Sequence, residues 1–177
     1  MRGPVGGSGI AEAPYIAADV ETTGLSPADG HRVCEIALLR FHRGTVVDSL
    51  VSLVNPLRPI DPGASAVNGI TDRMVARAPT FADLFPRIID FVGEDPLVFH
   101  NAPFDLSFLR AEARLAVRCN DRSDFAHMTL GLVHLYCERD VDRAVRESER
   151  ALELGPYYTL ARYTLGLALV FAGRAAE

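Results

Sequence analysis

Two groups of residues in this 177-residue chain have the types and spacing to do chemistry. The first is Asp19 and Glu21, two apart in Tyr15-Ile16-Ala17-Ala18-Asp19-Val20-Glu21. Ile16, Ala18 and Val20 alternate there with Ala17, Asp19 and Glu21, the period of a strand, so both carboxylates fall on one face. Like charges so placed repel unless a cation sits between them. Mg2+ or Mn2+ prefers oxygen ligands, and two such ions ~3.5–4 Å apart activate a water and stabilise a leaving oxygen at phosphorus. Alone, Asp-x-Glu is more often a solvated strand face. Here Thr22-Thr23-Gly24-Leu25 follows directly, adding hydroxyls, backbone N–H groups and a glycine that permits close approach. The second group is His100-Asn101-Ala102-Pro103-Phe104-Asp105. Taken singly, Asp105 would be an ordinary first-turn helix acid and His100 a polar residue near a strand end.

The elements that must hold these groups are legible in the pattern. Residues 15–21 predict one strand, Val33 to Phe41 a second and Thr45 to Val54 a third, with Arg43-Gly44 as a hairpin turn. Asn55 through Gly63, rich in Pro, predicts an irregular loop. Thr71 is placed to cap a short helix ending before Pro79. Thr80 with Asp83 at N3 predicts a capping box, opening a helix whose Phe81, Leu84, Phe85, Ile88, Ile89 and Val92 make an apolar stripe ended by Gly93. Pro86 lies too deep for the tolerated first turn, so that helix either starts later or kinks. Leu97-Val98-Phe99-His100 predicts a short buried strand, and Phe104 to Leu115 a helix.

Together, Asp19-Val20-Glu21-Thr22-Thr23-Gly24-Leu25 and His100-Asn101-Ala102-Pro103-Phe104-Asp105 resemble the first two motifs of the 3′–5′ exonucleases with four acidic metal ligands. That group includes the proofreading epsilon subunit of bacterial DNA polymerase III and ribonuclease T. Asn55-Pro56 to Asn68-Gly69-Ile70-Thr71 is similar to the family's connecting segment, with Asn68 where a His commonly stands. The resemblance covers residues 14–117 and implies an α/β fold, a ribonuclease-H-like mixed sheet with flanking helices. It implies Asp19, Glu21 and Asp105 as catalytic metal ligands, and Thr22, Thr23, Gly24, Leu25, His100, Asn101 and Phe104 as substrate-binding residues. The cofactor implied is Mg2+ or Mn2+, two ions in an intact site. The chemistry implied is in-line attack of an activated water on the last phosphodiester, at a 3′ end of single-stranded DNA or of RNA.

The family continues with a helix bearing a His or Tyr and, four or five residues on, a fourth acid that helps position the water. This chain departs from it. Thr129-Leu130-Gly131-Leu132-Val133 returns as Thr164-Leu165-Gly166-Leu167-Ala168 at an offset of 35, and Ala126 returns as Ala161. That repeat resembles a tetratricopeptide array of about one and a half units, with small residues at close helix contacts and Pro156 ending the first pair. Tyr136 with Asp140 formally matches the tyrosine variant of the third motif, which would make Asp140 a fourth metal ligand, whereas the repeat places Asp140 in the turn between two helices. No histidine variant is expected at His127 or His134. The expected organisation is a disordered start (1–13), the exonuclease-like domain (14–117), a linker (118–123) and the helical segment (124–177), leaving the nuclease fold incomplete at its C-terminal end. A proofreading-like exonuclease impaired by the missing motif is the expectation. The alternative is a catalytically degenerate fold that binds a nucleic-acid end or, through the helical segment, a protein.

Composition limits the other classes. The net charge is −5, every basic residue is Arg, and no basic stripe exists to drive binding through many phosphate contacts. Cys34, Cys119 and Cys137 show no Cys-x-x-Cys spacing, against a structural zinc site or disulfide framework and in favour of a reducing cytoplasm. No apolar run approaches the ~20 residues of a membrane span, so no membrane partner is expected.

Overall fold

A computed structural model of the chain describes residues 13–93, 95–119, 122–156 and 159–174. The expected disordered start and part of the expected linker lie outside these. The described residues form two compact units, one up to Asp105 and the other from Leu106.

The first unit is built on a four-stranded sheet in the order β3-β2-β1-β4. Strands β1 (Tyr15–Thr22), β2 (Val33–His42) and β3 (Thr45–Leu53) form an antiparallel meander. The turn between β2 and β3 uses Arg43 at φ 51° and Gly44 at φ 75°. Two left-handed residues match the twist of paired strands, which is why so short a turn closes here. Alternation in β1 does as the sequence indicates: Ile16, Ala18 and Val20 are buried and Asp19 is exposed.

Strand β4 (Leu97–Phe99) runs parallel to β1, pairing Ile16 with Leu97 and Ala18 with Phe99. It is not the buried strand its composition suggests, since Leu97 is 40% and Val98 47% exposed. The reason is position: β4 is a three-residue edge of the sheet, with a strand neighbour on one side only. Between β3 and β4 lie three helices. The expected irregular loop stops at Pro62, which opens α1 (Pro62–Asn68) from a position where its missing N–H costs nothing. Helix α2 (Asp72–Val75) follows Thr71, and Cys34, Ile60, Ile70 and Val75 pack as a small core beneath this stretch.

Helix α3 (Phe81–Val92) has the full capping box at Thr80 and Asp83, and it runs continuously through Pro86. Pro86 and Ala82 both face solvent, so the Ala82 carbonyl that loses its helical partner is within reach of water. Helix α4 (Ala102–Cys119) carries Asp105 in its first turn and continues into the second unit.

The second unit adds α5 (Asp124–Leu132), a π-helical extension over Val133–Glu138, α6 (Val141–Leu154) and α7 (Thr159–Phe171). Gly131 allows α5 to approach α6 closely: a Cβ there would stand 2.9 Å from Ser148 Oγ and 3.3 Å from the Ala144 carbonyl. Leu135, Ala144, Val145 and Ala168 form its core. Among the described residues, no helix is long and apolar enough to cross a membrane.

Candidate active site

Because β1 and β4 are parallel neighbours, their carboxyl ends open side by side, the usual place for a ligand in a sheet of this kind. Asp19 follows the last β4-paired residue of β1, Ala18, and His100 follows Phe99. The chain then turns into α4, where the Asn101 carbonyl accepts from Phe104 N (2.9 Å) and Asp105 N (3.4 Å). That turn aims Asp105 back at the sheet. Its carboxylate is 2% exposed, and Oδ1 accepts a hydrogen bond from Val20 N at 3.2 Å. A side chain 85 residues away is thereby tied to the backbone between Asp19 and Glu21.

A further carboxylate joins them. Glu35 of β2 stands directly opposite Glu21 in the strand register, just before a bulge between Glu21 and Thr22. Paired positions share a face, and like charges so placed destabilise each other. The effect is visible in proton affinity. Burial pushes the Glu21 carboxyl above its ordinary value, and Asp19, Glu35 and Asp105 push the same way, while a hydrogen bond from Asn68 acts against them. Asp105 is likewise raised by burial and by Asp19, against the Val20 N–H and the His100 side chain, which lower it.

Local sequence pattern does not single out Glu35. The β1–β2 connection is a long loop, so no short turn fixed which β2 residue meets Glu21. Asn68, in the position where the family commonly has His, reaches the same place: besides Glu21 it contacts the Thr22 carbonyl at 3.3 Å, and its Oδ1 accepts from Ile70 N at 3.0 Å.

The other expected site residues divide by what their side chains do. The Thr22 hydroxyl donates to the Gly24 carbonyl at 2.7 Å, and Thr23 is fully buried, so both hydroxyls are engaged in the loop itself. Leu25 is 86% exposed at the tip of that loop. His100 and Asn101 are exposed, and Phe104 is half-buried in the first turn of α4. Asp140 caps α6, accepting from Arg143 N at 3.0 Å and lying 3.2 Å from Arg143 Nε. The Tyr136 side chain lies outside the described residues. The expectation against a histidine variant needs correction at His134: Glu138 stands four residues on, and its Oε2 lies 2.8 Å from His134 Nδ1. Glu138 also pairs with Arg114.

Among the described residues, no three acidic, His or Cys side chains close into a ready-made metal cage. The donor set nevertheless has the chemistry of one. Asp19, Glu21, Glu35 and Asp105 offer only carboxylate oxygens, with no sulfur, the donor type that Mg2+ and Mn2+ prefer, and the proton affinity of Glu21 and Asp105 is raised by burial first and by their acidic neighbours second.

The site is thus a cluster of carboxylates where a strand Asp-x-Glu and a helix-start Asp meet at adjacent strand ends of a mixed α/β sheet, and comparison with known proteins gives the class: a nuclease type of hydrolase. The chain matches the Exonuclease family (RNase_T) over residues 16–151 and belongs to it. It is 44% identical over 122 residues to a DNA polymerase III subunit epsilon-like protein of Rhodobacter capsulatus, covering 65% of this chain and 17% of that one. It is 39% identical over 101 residues to DNA polymerase III subunit epsilon of Treponema pallidum, covering 57% of this chain and 46% of that one. The chain thus spans less than half the length of these relatives. In fold it is similar to a 3′-exonuclease solved in a study of histone mRNA stem-loop recognition, with a TM-score of 0.54 at 16% identity over 90% of this chain and 67% of that one. Exonuclease I in complex with the inhibitor BCBP gives a TM-score of 0.53 at 18% identity over 86% of this chain and 43% of that one. Enzymes of the family generally use two divalent metal ions.

Proposed function

We propose that this chain is a divalent-metal-dependent 3′–5′ exonuclease of the proofreading type, which removes nucleotides one at a time from a single-stranded DNA end. The observation that carries the reading is the Asp105–Val20 hydrogen bond, because it brings the acid of the second motif between the two acids of the first. Asp19, Glu21 and Asp105 would hold the metal. When bound, the metal supplies positive charge at the scissile phosphate and acidifies a water for attack. The protein's own part is to gather these carboxylates at one place despite their mutual repulsion, and to present the exposed Leu25, His100 and Asn101 to the terminal nucleotide.

Turnover is slow in this reading. Asp140, the acid expected near a third motif, caps α6, and Glu138, four residues beyond His134, is shared by His134 and Arg114, so both are engaged. The same fact favours the second reading, a fold that binds a nucleic-acid end without cutting it. The α5–α7 segment is read as tetratricopeptide-like, with a protein partner as its expected occupant, on the strength of the repeat at an offset of 35.

The test is an end-labelled oligonucleotide, DNA or RNA, incubated with Mn2+, with Mg2+ and with EDTA. Metal-dependent 3′ shortening that Asp19→Ala abolishes is expected, with DNA preferred. Binding without shortening selects the second reading, and shortening indifferent to Asp19→Ala would remove the assignment of these acids.

A further inference from the structure

The loop that follows the first motif is held by a side chain with no part in the motif chemistry. The His31 ring lies against Gly24 so closely that a Cβ at position 24 would meet Cε1, Nδ1 and Nε2 of the ring well inside van der Waals contact. Its Nδ1 is 3.2 Å from Thr23 Oγ1, and its Nε2 is 3.7 Å from Asp61 Oδ2. Thr23 Oγ1 already accepts from Arg32 N at 3.0 Å. The Thr23 hydroxyl is thereby held between the Arg32 N–H and Nδ1 of the His31 ring. Nε2 on the opposite side of the ring faces the Asp61 carboxylate. Two backbone bonds run beside this chain, Thr23 N to the Arg32 carbonyl at 2.9 Å and Asp61 N to the Thr23 carbonyl at 3.1 Å. Arg58 Nη2 holds Asp61 from its other side at 3.7 Å.

We infer that His31 is a positioning residue for the proposed exonuclease: it locks the Thr22–Leu25 loop in the conformation that receives the terminal nucleotide, and Gly24 is glycine because the His31 ring occupies the place of its Cβ. The inference rests on the nuclease reading above. Three segments meet at the ring: the loop after β1, the chain entering β2 and the loop before α1. Thr23 is fully buried with its hydroxyl committed, so its part is to transmit the position of His31 to the backbone of Gly24 and Leu25. Leu25, 86% exposed at the loop tip, has no anchor in a core of its own and depends on that backbone.

A loop that contacts the nucleotide before and during reaction contributes uniform binding, so loosening it raises KM more than it lowers kcat. His31→Ala should raise KM for an end-labelled oligonucleotide about tenfold while kcat falls no more than about twofold. His31→Asn, whose side-chain amide can hydrogen-bond Thr23 in place of Nδ1, should recover most of that loss. Gly24→Ala should be as damaging as His31→Ala, and the double variant Gly24→Ala/His31→Ala should be no worse than either, because removing the ring makes room for the methyl group. Affinity for the same oligonucleotide in EDTA, read by fluorescence anisotropy, should fall in parallel with the KM change. Additive losses in the double variant, or a kcat loss with KM unchanged, would overturn the positioning role. If the wild-type chain neither cuts nor binds the oligonucleotide, the nuclease reading falls and this inference with it; if the wild type does and His31→Ala behaves identically, only this inference falls.

Discussion

The two units treat charge in opposite ways. In the helical unit, acids and bases are matched locally: Glu147 lies 2.6 Å from His127 Nδ1, Glu138 2.8 Å from His134 Nδ1, and Asp140 takes the Arg143 backbone and side chain. In the sheet unit, Asp19, Glu21, Glu35 and Asp105 crowd one end of β1, and Glu21 and Asp105 hold their protons more tightly than ordinary carboxyls. A fold gains nothing in stability from unmatched like charges near a buried strand, which is what the proposed metal chemistry would require of this place. The small residues of the helical unit carry the reverse signal. Ala144, Ala151, Ala161 and Ala168 are fully buried and do nothing but let helices approach.

The largest expected effect tests the sheet side of that contrast. Asp19→Ala, Glu21→Ala and Asp105→Ala should each lower metal-dependent 3′ shortening by ~10²–10⁴, the usual cost of losing a group that positions the attacking water or its cation. Glu147→Ala, an acid removed from the helical unit, should leave the rate within about twofold while lowering stability. Equal losses from both would dissolve the distinction.

Sequence pattern carries much of this arrangement, and where it fails the failure is physical. The meander, the capping box at Thr80 and the helices of the second unit follow from local periodicity and caps, which short windows contain. Strand β4 could not be read as exposed, since Leu97-Val98-Phe99 has the composition of a buried strand and its edge position depends on sheet order. Pro86 could not be resolved because the outcome depends on whether the Ala82 carbonyl meets water. Of the candidate site, the three motif acids were visible as residue types. Glu35 was not, since its place opposite Glu21 is a matter of register across a long loop. The pairing of His134 with Glu138 was within reach, as four residues is one helical turn.

The next effect separates two glycines one repeat apart. Gly131→Leu should cost ~1–3 kcal/mol in urea denaturation, since Ser148 and the Ala144 carbonyl already fill the space. Gly166, its equivalent 35 residues on, is exposed with nothing within 4 Å of a Cβ, so Gly166→Ala should gain up to ~1 kcal/mol from helix propensity. Similar losses at both would mean that the second copy is as tightly covered as the first.

A smaller effect concerns a matched acid inside the sheet unit. Hydrogen bonds from the Thr80 hydroxyl and backbone hold the Asp83 carboxyl below its ordinary value of 3.8. A depressed value means that the stabilisation is present above the unfolded value and is lost as pH falls through the folded one. Thr80→Ala should therefore cost about 1 kcal/mol at pH 7, and the gap between variant and wild type should narrow as the pH is taken below 3.8.

The smallest expected effect is also the most direct measure of the contrast, because it is a difference in sign. Glu21 and Asp105 are raised from ordinary values of 4.5 and 3.8, so their contribution favours the fold below those values and is lost as pH rises through the folded ones. In the ionised form both face the carboxylate of Asp19, which pushes them up. Asp19→Asn removes one charge from the cluster while preserving shape, and should stabilise the metal-free chain by a few tenths to ~1 kcal/mol, the range for like charges facing each other on a sheet. It should also flatten the loss of stability between pH 4 and pH 7, and Mn2+ should raise the melting temperature of wild type more than that of the variant. Glu147→Gln makes the same chemical change in the helical unit and should destabilise by about 1–2 kcal/mol, because it strips His127, 9% exposed, of its charged partner. Thermal melts of the two variants in EDTA, at pH 4 and pH 7, read both signs. A loss of stability from Asp19→Asn would mean that the carboxylates at the end of β1 are matched by partners as the helical acids are, and that the charge they carry is not held in reserve for a cation.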